Sequence, residues 1–321
     1  MVACGTTTEA SRGRWVGGIG MARNALRWSK DALNRLVGWQ VIFEWRNRTM
    51  KWPGVLRMRG FEDREVRRLR SEAPLLSARV AVVIPTYKRP DGLSAAVASV
   101  LAQTWSDFVL VVVDDGGGGL EAAQLPADPR LRTVSLSENS HVLGLVRNVG
   151  MRLTESRYVA FLDDDNTWEP DHLALTVKTL MDSPRLSGVY TALHRVLPDG
   201  SDLDVLSVPF DRKRASWDSF LDCNAFVAVR SRALIFSRMP RPIGLLPRED
   251  WEMMYRFTRR HRITHLPTPT VRYLVNPSSF YTQWDKDKKN DEARTENKDA
   301  QQNGKQHHQG TPAPQPAGEG E

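Results

Sequence analysis

Acidic side chains gather at one point in the sequence, directly behind an apolar run. Asp163, Asp164 and Asp165 follow residues 158–162, which have the short, continuous apolar pattern of a buried strand. Three adjacent carboxylates repel one another, so something must compensate if they are partly buried. Mn²⁺ or Mg²⁺ does this well, because these ions accept carboxylate oxygens and keep positions open for phosphate. The triplet therefore predicts an ion shared by Asp163 and Asp165, with a solvated loop or a helix cap as the alternative.

A second polar cluster follows another short apolar run. Asp114 and Asp115 come directly after residues 108–113, and four glycines follow them. A turn that ends a strand often has this composition. The same geometry suits a ligand, because glycines let it approach the backbone and a carboxylate accepts hydrogen bonds from a ribose hydroxyl or a base N–H. From the residues alone, both interpretations stay open.

Three further charged residues lie where helices are predicted. Arg147 falls in the predicted helix 143–155, where an arginine is usually a surface charge but could also reach a nucleotide from below. Glu249 and Asp250 open the predicted helix 249–260. Acidic residues in a first turn complement the helix dipole. The alternative is that this pair supplies a general base.

The elements between these clusters have to bring them together. Strand and helix patterns alternate from about residue 79, which predicts an α/β fold with a mostly parallel, Rossmann-like sheet and helices on both faces. Ligands bind at the carboxyl ends of such strands, where the polar clusters also lie. The predicted strands are 80–84, 108–113, 131–136, 158–162 and 225–229, with a hairpin of 189–196 and 203–208. The predicted helices are 91–103, 143–155, 170–182 and 249–260.

The N-terminal part of the chain carries the positive charge. The formal net charge is +7, and residues 1–75 hold 15 Lys and Arg against 7 Asp and Glu. Residues 20–46 have apolar residues at helical spacing, with Trp28, Trp39 and Trp45 interleaved among basic ones. Such a helix suits an anionic membrane surface; packing on the organised domain or on a second subunit is the alternative. No nucleic-acid partner is expected, because no recognition motif accompanies the charge.

The remaining composition predicts domain organisation and location. No apolar run reaches the roughly 18 residues of a membrane span, and arginines interrupt the apolar stretches where a signal peptide would lie. Cys4 and Cys223 do not make a disulfide framework. The expectation is a cytoplasmic protein, peripheral at the inner face of the cell membrane if the basic helix binds there. The predicted units are a basic extension at 1–75 with a linker or helix end at 62–70, an organised domain at 76–283, and a disordered polar tail at 284–321.

The order and spacing of four motifs resemble those of family 2 glycosyltransferases of the GT-A fold. The similar segments lie within residues 80–257 and read VVIPTYKRPDGLSAAVASVLAQTW, VLVVVDDGG, LGLVRNVGMRLTESRYVAFLDDDNTWEP and REDWEMMYRF. The resemblance implies a GT-A fold with a smaller hairpin region on the acceptor side. It also implies inverting sugar transfer from a nucleotide-diphosphate sugar, most commonly a UDP-sugar, to a hydroxyl of a glycan, lipid or other metabolite, as in polysaccharide biosynthesis.

The resemblance also implies a role for each matching residue. Asp165 would be the direct ligand of a Mn²⁺ or Mg²⁺ ion that bridges the diphosphate, with Asp163 as a second ligand. Asp250 would be the general base, with Glu249 beside it. Asp115 is the first choice for the contact with base and ribose. The implied nucleotide-sugar-binding residues are Pro85, Thr86, Tyr87, Arg89, Asp114, Asp115, Arg147, Asp163 and Asp164.

The chain departs from the family pattern at two points, and two rival functions stay open. Four glycines at 116–119 replace the usual Gly-Ser, and Asn166 stands where an aspartate is common. A nucleotidyltransferase would share the sheet and the acidic metal site but normally needs a Gly-rich triphosphate loop, and residues 85–89 contain no glycine. A non-catalytic nucleotide-sugar-binding protein would lack the base at Asp250. Residues 276–279 could supply a lid over the diphosphate.

Overall fold

The computed structural model describes residues 38–241 and 248–275. Their strands form one nine-stranded sheet in the order β3-β2-β1-β4-β8-β6-β9-β5, with β7 paired to β6. The strands are β1 (Val80–Thr86), β2 (Phe108–Asp114), β3 (Leu131–Ser135), β4 (Tyr158–Phe161), β5 (Thr167–Trp168), β6 (Gly188–Val196), β7 (Asp202–Leu206), β8 (Phe226–Val229) and β9 (Ile263–Leu274). The α-helices are α1 (Trp39–Met50), α2 (Trp52–Glu72), α3 (Pro90–Leu101), α4 (Leu143–Arg152), α5 (His172–Asp182), α6 (Arg212–Ala215) and α7 (Glu249–Phe257).

The first four strands form the parallel half of the sheet. β1 pairs in parallel with β2 and β4, and β2 pairs in parallel with β3. β1, β2 and β4 are short apolar runs buried on both sides, the pattern expected of strands covered by helices on two faces, whereas β3 at the sheet edge is only partly buried. The predicted α/β fold is confirmed here, and strands and helices start within two residues of their predicted positions.

Alternation along β2 shows how the helices cover both faces. Leu110 and Val112 belong to the core cluster that includes α3, α5 and α7. Val111 and Val113 point the other way, into a second cluster with α2 and α4. Successive side chains on a strand face opposite sides, so the continuous apolar run feeds two cores and holds the strand ends in a fixed position.

The second half of the sheet is mixed. The predicted hairpin is confirmed as β6 and β7, and β8 runs antiparallel to both β4 and β6. Strand β9 was not predicted, because Pro267 and Pro269 interrupt its pattern and proline removes a ladder hydrogen bond. Its pairing with β6 is parallel and shifts register at these prolines, on either side of Ala192.

Of the two alternatives for residues 62–70, a helix end is confirmed and a linker is wrong, because these residues form the C-terminal part of a helix that ends at Glu72. Those residues are part of α2, and Phe61, Val66 and Leu69 are buried in the second core. The dense charge suggested solvation, but Glu62 is buried and accepts from Arg152 at 2.8 Å and from Arg238 at 2.6 Å. A buried carboxylate is tolerated when it is paired in this way. The organised fold therefore begins before residue 79.

Several predictions fall outside the described residues. They are the part of the basic helix before residue 38, the segment 276–279 and the tail at 284–321, so the division into three units stays a prediction. Cys223 is buried and carries a free thiol. Among the described helices, none combines the length and the apolar composition that a bilayer crossing requires.

Candidate active site

A cavity of about 530 Å³ opens where β1, β2 and β4 end. Its wall combines the strand-end clusters with α4 and the first turn of α7, as the parallel topology requires. Tyr273 from β9 and His141 from the loop before α4 also line it. The predicted site residues in this wall are Pro85, Thr86, Tyr87, Arg89, Asp115, Arg147, Asp163, Asp164, Asp165, Glu249 and Asp250.

The two aspartates behind β2 have different surroundings. Asp114 is fully buried and accepts hydrogen bonds from Gly117 N at 3.1 Å, Gly118 N at 2.9 Å and Ser135 Oγ at 3.1 Å. Both of its oxygens are thus engaged in holding the glycine turn, and the residue lies behind the cavity wall. Asp115 lines the cavity instead, and of the two only Asp115 is placed to contact a ligand there.

The loop after Asp115 is built around glycine. Gly116 has φ +71°, and a Cβ there would lie 2.6 Å from the backbone of Glu138. The following segment returns to Asp115, whose carboxylate accepts from Ser140 N at 2.8 Å. Burial raises the pKa of Asp115 in spite of this hydrogen bond. The unusual run of glycines therefore serves a tight approach of two loops beside the cavity.

The acidic triplet is held by polar groups of the first strand. Thr86 Oγ1 donates to Asp164 at 2.7 Å, and the guanidinium of Arg89 lies 2.8 Å from Asp165. Burial raises the pKa of Asp164 to about 6 and also raises that of Asp165. Gly92 in α3 permits this packing, since a Cβ there would lie 2.4 Å from the Asp164 carbonyl oxygen.

Asn166, the departure from the family pattern, has a structural role. It is buried, and its Oδ1 accepts a hydrogen bond from Leu274 N at 2.9 Å. An uncharged amide can make this contact without adding a fourth carboxylate to the triplet. The contact ties the triplet to strand β9.

Arg147 is a buried bridge and not a surface charge. Its guanidinium donates to Asp163 at 2.5 Å and to Glu249 at 3.2 Å, so it links the triplet to the start of α7. Burial alone lowers the pKa of Arg147, but the surrounding anionic groups, led by Asp163, outweigh it and the pKa is raised. Within the part of the chain that the structure describes, its Nε has no hydrogen-bond partner. The arginine thus stays charged next to the cavity.

Asp222 and Asn224 belong to the site and were not predicted. Asn224 Nδ2 donates to Asp222 at 2.7 Å and to Asp163 at 3.1 Å, and its Oδ1 accepts from Asp163 N at 2.6 Å. Burial, and then the charge of Asp163, raises the pKa of Asp222 to about 6. The available signal was a polar Asp-Cys-Asn directly before a short strand, the same arrangement as the other clusters but at a strand start.

The first turn of α7 places the pair that was predicted to supply a base. Arg248 occupies the N-cap position, so Asp250 lies inside the first turn, where its carboxylate accepts from Trp251 N at 2.7 Å. Burial, followed by the neighbouring charge of Glu249, raises the pKa of Asp250 to about 7. A carboxylate with a pKa near neutrality can both take up and release a proton, which is what general acid–base chemistry requires.

The donor atoms of this cavity suit a hard divalent cation. Asp163, Asp164, Asp165 and Asp222 lie in one wall, and burial or mutual repulsion raises the pKa of the last three. Across residues 38–241 and 248–275, no three His, Cys, Asp or Glu side chains converge closely enough to bind an ion by themselves. Two carboxylates with remaining positions open to phosphate or water are nevertheless the usual environment of Mg²⁺.

Comparisons with known proteins agree with this arrangement. Residues 81–203 match the model of glycosyl transferase family 2. Succinoglycan biosynthesis protein ExoW of Rhizobium meliloti (strain 1021) is 40% identical over 102 residues, which are 30% of this chain and 32% of ExoW. The UDP-Glc:alpha-D-GlcNAc-diphosphoundecaprenol beta-1,3-glucosyltransferase WfgD of Escherichia coli is 26% identical over 106 residues, 32% of this chain and 41% of WfgD. The chain thus spans less than half the length of these relatives.

A solved structure shows the same fold. The crystal structure of S. aureus TarS residues 1–349 in complex with UDP-GlcNAc superposes with a TM-score of 0.50 at 18% identity, over 64% of this chain and 60% of that one. This confirms the predicted GT-A architecture, and the family match runs from β1 through β6 to the start of β7. The structural likeness shows the GT-A fold, and residues 81–203, less than half of the chain, are similar to glycosyl transferase family 2.

Proposed function

We propose that this chain transfers a sugar from a UDP-sugar to a hydroxyl group of a glycan, lipid or other metabolite, with inversion at the anomeric carbon. One observation carries the proposal: in a chain whose residues 81–203 match glycosyl transferase family 2, one cavity brings together the ends of β1 and β2, an acidic triplet and a carboxylate with a pKa near 7. The names of ExoW and WfgD support polysaccharide biosynthesis as the setting. The UDP-GlcNAc bound by TarS supports a uridine nucleotide as donor.

The nucleoside part of the donor fits the wall formed by the ends of β1 and β2. Tyr87 is exposed there and offers a ring face, and Asp115 offers a carboxylate to the ribose or base. Arg89 lies at the boundary between this wall and the acidic triplet, where it can pair with a phosphate. Arg147 supplies a permanent positive charge beside the cavity, because the anionic groups around it, led by Asp163, keep it protonated.

The diphosphate part fits the acidic wall if a cation accompanies it. Asp165 and Asp163 are the residues that would hold Mn²⁺ or Mg²⁺, since both line the cavity and Asp164 is engaged by Thr86 and Arg89. Such an ion, when bound, neutralises charge on the departing diphosphate. Asp164 is turned towards Thr86 and Arg89 and keeps the triplet in place. Asn224 does the same for Asp163 from the opposite side.

The acceptor side is the part of the cavity next to α7. There the Asp250 carboxylate takes the proton of the acceptor hydroxyl. The oxygen of that hydroxyl bonds to the anomeric carbon as the bond from that carbon to the diphosphate oxygen breaks. Attack from the face opposite the leaving group inverts the configuration. Glu249 is paired with Arg147, so it holds the start of α7 and leaves Asp250 as the residue whose proton affinity suits the task.

Asp165→Ala should weaken UDP binding in the presence of Mn²⁺. Loss of even an outer partner of a metal ligand costs about 10–100-fold in affinity, so we expect a decrease of at least about tenfold by isothermal titration calorimetry. Asp182→Ala, an aspartate exchange on an exposed helix end outside the cavity, should leave the affinity unchanged.

The direction of this change distinguishes the metal from simple electrostatics. Asp165 pairs with Arg89, so without a cation its removal would free Arg89 and reduce the negative charge. UDP would then bind more tightly to the variant, not more weakly. Affinity with Mn²⁺ that is equal to or higher than that of the wild type would exclude Asp165 as a metal ligand.

A further inference from the structure

Large apolar side chains are exposed along the two N-terminal helices. Trp45 is 69% exposed, Met50 74%, Trp52 53% and Leu56 44%. They lie within twelve consecutive residues, across the junction at Lys51 that joins α1 to α2. Exposed apolar residues that are scattered singly are ordinary, whereas four within one short segment make that segment a candidate interaction site.

The same segment is uniformly basic. Arg46, Arg48, Arg57 and Arg59 are exposed, Lys51 lies between them, and residues 45–61 contain no aspartate or glutamate. Arg59 pairs with Asp63 at 4.0 Å, and Arg48 is close enough to interact electrostatically with the buried Glu44, but the other arginines of the segment face outward. We call residues 45–59 the basic aromatic surface. Its charge is complementary to a polyanionic partner, and its tryptophans and aliphatic side chains give it an apolar component.

The opposite side of α1 is firmly packed. Trp39 makes an edge-to-face contact with Trp251 of α7 at 5.5 Å between ring centroids, and Gln40 donates to Ser216 O at 2.9 Å. Glu44 is buried and pairs with Arg241. The segment is therefore a fixed part of the fold, and packing on the domain accounts for one of its faces only. Packing on the domain does not account for the exposed apolar side chains of this segment.

We propose that the basic aromatic surface binds the anionic headgroup region of a lipid bilayer. Tryptophan prefers the membrane interface because its ring is apolar and its N–H is polar, and arginines at the same depth pair with lipid phosphates. A second copy of the chain related by twofold symmetry would bring like charges together. A nucleic acid would leave Met50 and Leu56 without apolar contacts. The packing of α1 on α7 would then hold the cavity at a fixed distance from the bilayer.

Flotation of the full chain with vesicles tests this proposal without any sugar donor. We expect binding to vesicles of equal parts phosphatidylglycerol and phosphatidylcholine, and little binding to phosphatidylcholine alone. Arg48→Gln/Arg57→Gln should weaken binding about fivefold for each charge removed. Trp45→Ser/Trp52→Ser should weaken it at least about tenfold, because the apolar contribution is lost.

Matched exchanges elsewhere on the surface serve as controls. Trp217→Ser removes a tryptophan that is 52% exposed, and Arg259→Gln/Arg260→Gln removes two exposed charges after α7. Neither should change vesicle binding. Failure of the wild type to float, equal binding to neutral vesicles, or equal losses in the control variants would each overturn the proposal. Binding that survives the variants at 45, 48, 52 and 57 would also overturn it and would assign the attachment to residues 1–37.

Discussion

Asp250→Asn is expected to lower the rate of sugar transfer by about 10²–10⁴-fold, the usual contribution of a general base. Asparagine has the same size and can still accept the hydrogen bond from Trp251 N, but it cannot take a proton from the acceptor. UDP binding in the presence of Mn²⁺ should be unchanged, because the proposed donor contacts lie on the other wall of the cavity. Turnover is measured as the rate of UDP release. The assay uses the pair of UDP-sugar and acceptor with which the wild type is most active.

A matched control separates chemistry from helix stability. Asp91 is also an acidic residue in the first turn of a helix, α3, but it is exposed and lies outside the cavity wall. Asp91→Asn removes a comparable interaction with a helix dipole, which is worth less than about 1 kcal/mol at an exposed site. It should leave turnover within a fewfold of the wild type. The same small effect in Asp250→Asn would remove Asp250 from the mechanism.

The pH dependence gives a second readout of the same residue. Asp250 has to be deprotonated to act as a base, and its pKa is raised to about 7 by burial and by Glu249. Transfer by the wild type should therefore fall as the pH drops below about 7, with an apparent pKa that belongs to the Glu249–Asp250 pair. A rate that is flat down to pH 5 would contradict the assignment.

Arg147→Met is expected to cost about 3–5 kcal/mol in the free energy of unfolding at neutral pH, because it leaves the partners of a buried ion pair without their cation. Asp163 and Glu249 both lose a charge-assisted hydrogen bond, and Asp222 and Asp250 stand close by. Chemical denaturation monitored by circular dichroism measures the loss. Arg67→Met, which removes an exposed arginine on α2, should change stability by less than about 0.5 kcal/mol.

The pH dependence of this loss has a definite sign. Carboxyl groups with a raised pKa bind protons more tightly in the folded state than in the unfolded chain, so lowering the pH relieves their repulsion. Asp222 has a pKa of about 6 and Asp250 of about 7. The deficit of Arg147→Met should therefore shrink as the pH falls through that range. The second exchange Asp163→Asn should recover part of the deficit, and strict additivity of the two changes would contradict the coupling.

The sequence predicted the parallel half of the fold and its functional edge well. Strands such as β2 are short β-branched runs buried on both sides, a pattern typical of parallel sheets covered by helices on two faces. A polar cluster follows each of the strands β1, β2 and β4. Parallel topology then places those clusters together without further information. Asp115 and Asp163 could therefore be assigned to one edge of the sheet from the sequence pattern, whereas the resemblance to family 2 glycosyltransferases placed Asp250 with them.

The elements that were missed depend on tertiary pairing. The charged pattern of α2 resembles a solvated linker, and only contacts with Arg152 and Arg238 show why Glu62 is buried. Strand β9 is hidden by two prolines that its bulged pairing tolerates. Asp222 and Asn224 precede a strand instead of following one, so their place beside Asp163 follows from the antiparallel entry of β8 next to β4.

The most direct test of the central claim is a thermal-shift comparison of the full chain with UDP, GDP, ADP and CDP, each with and without Mn²⁺. A ligand that binds only the folded protein raises its melting temperature, by an amount that corresponds to about 2.7 kcal/mol at a ligand concentration one hundred times the Kd. The account predicts that UDP with Mn²⁺ raises the melting temperature most, that omission of Mn²⁺ removes most of the shift, and that Asp165→Ala does the same. No shift with any of the four nucleotides, in the presence or absence of Mn²⁺, would contradict a nucleotide-sugar site in this cavity.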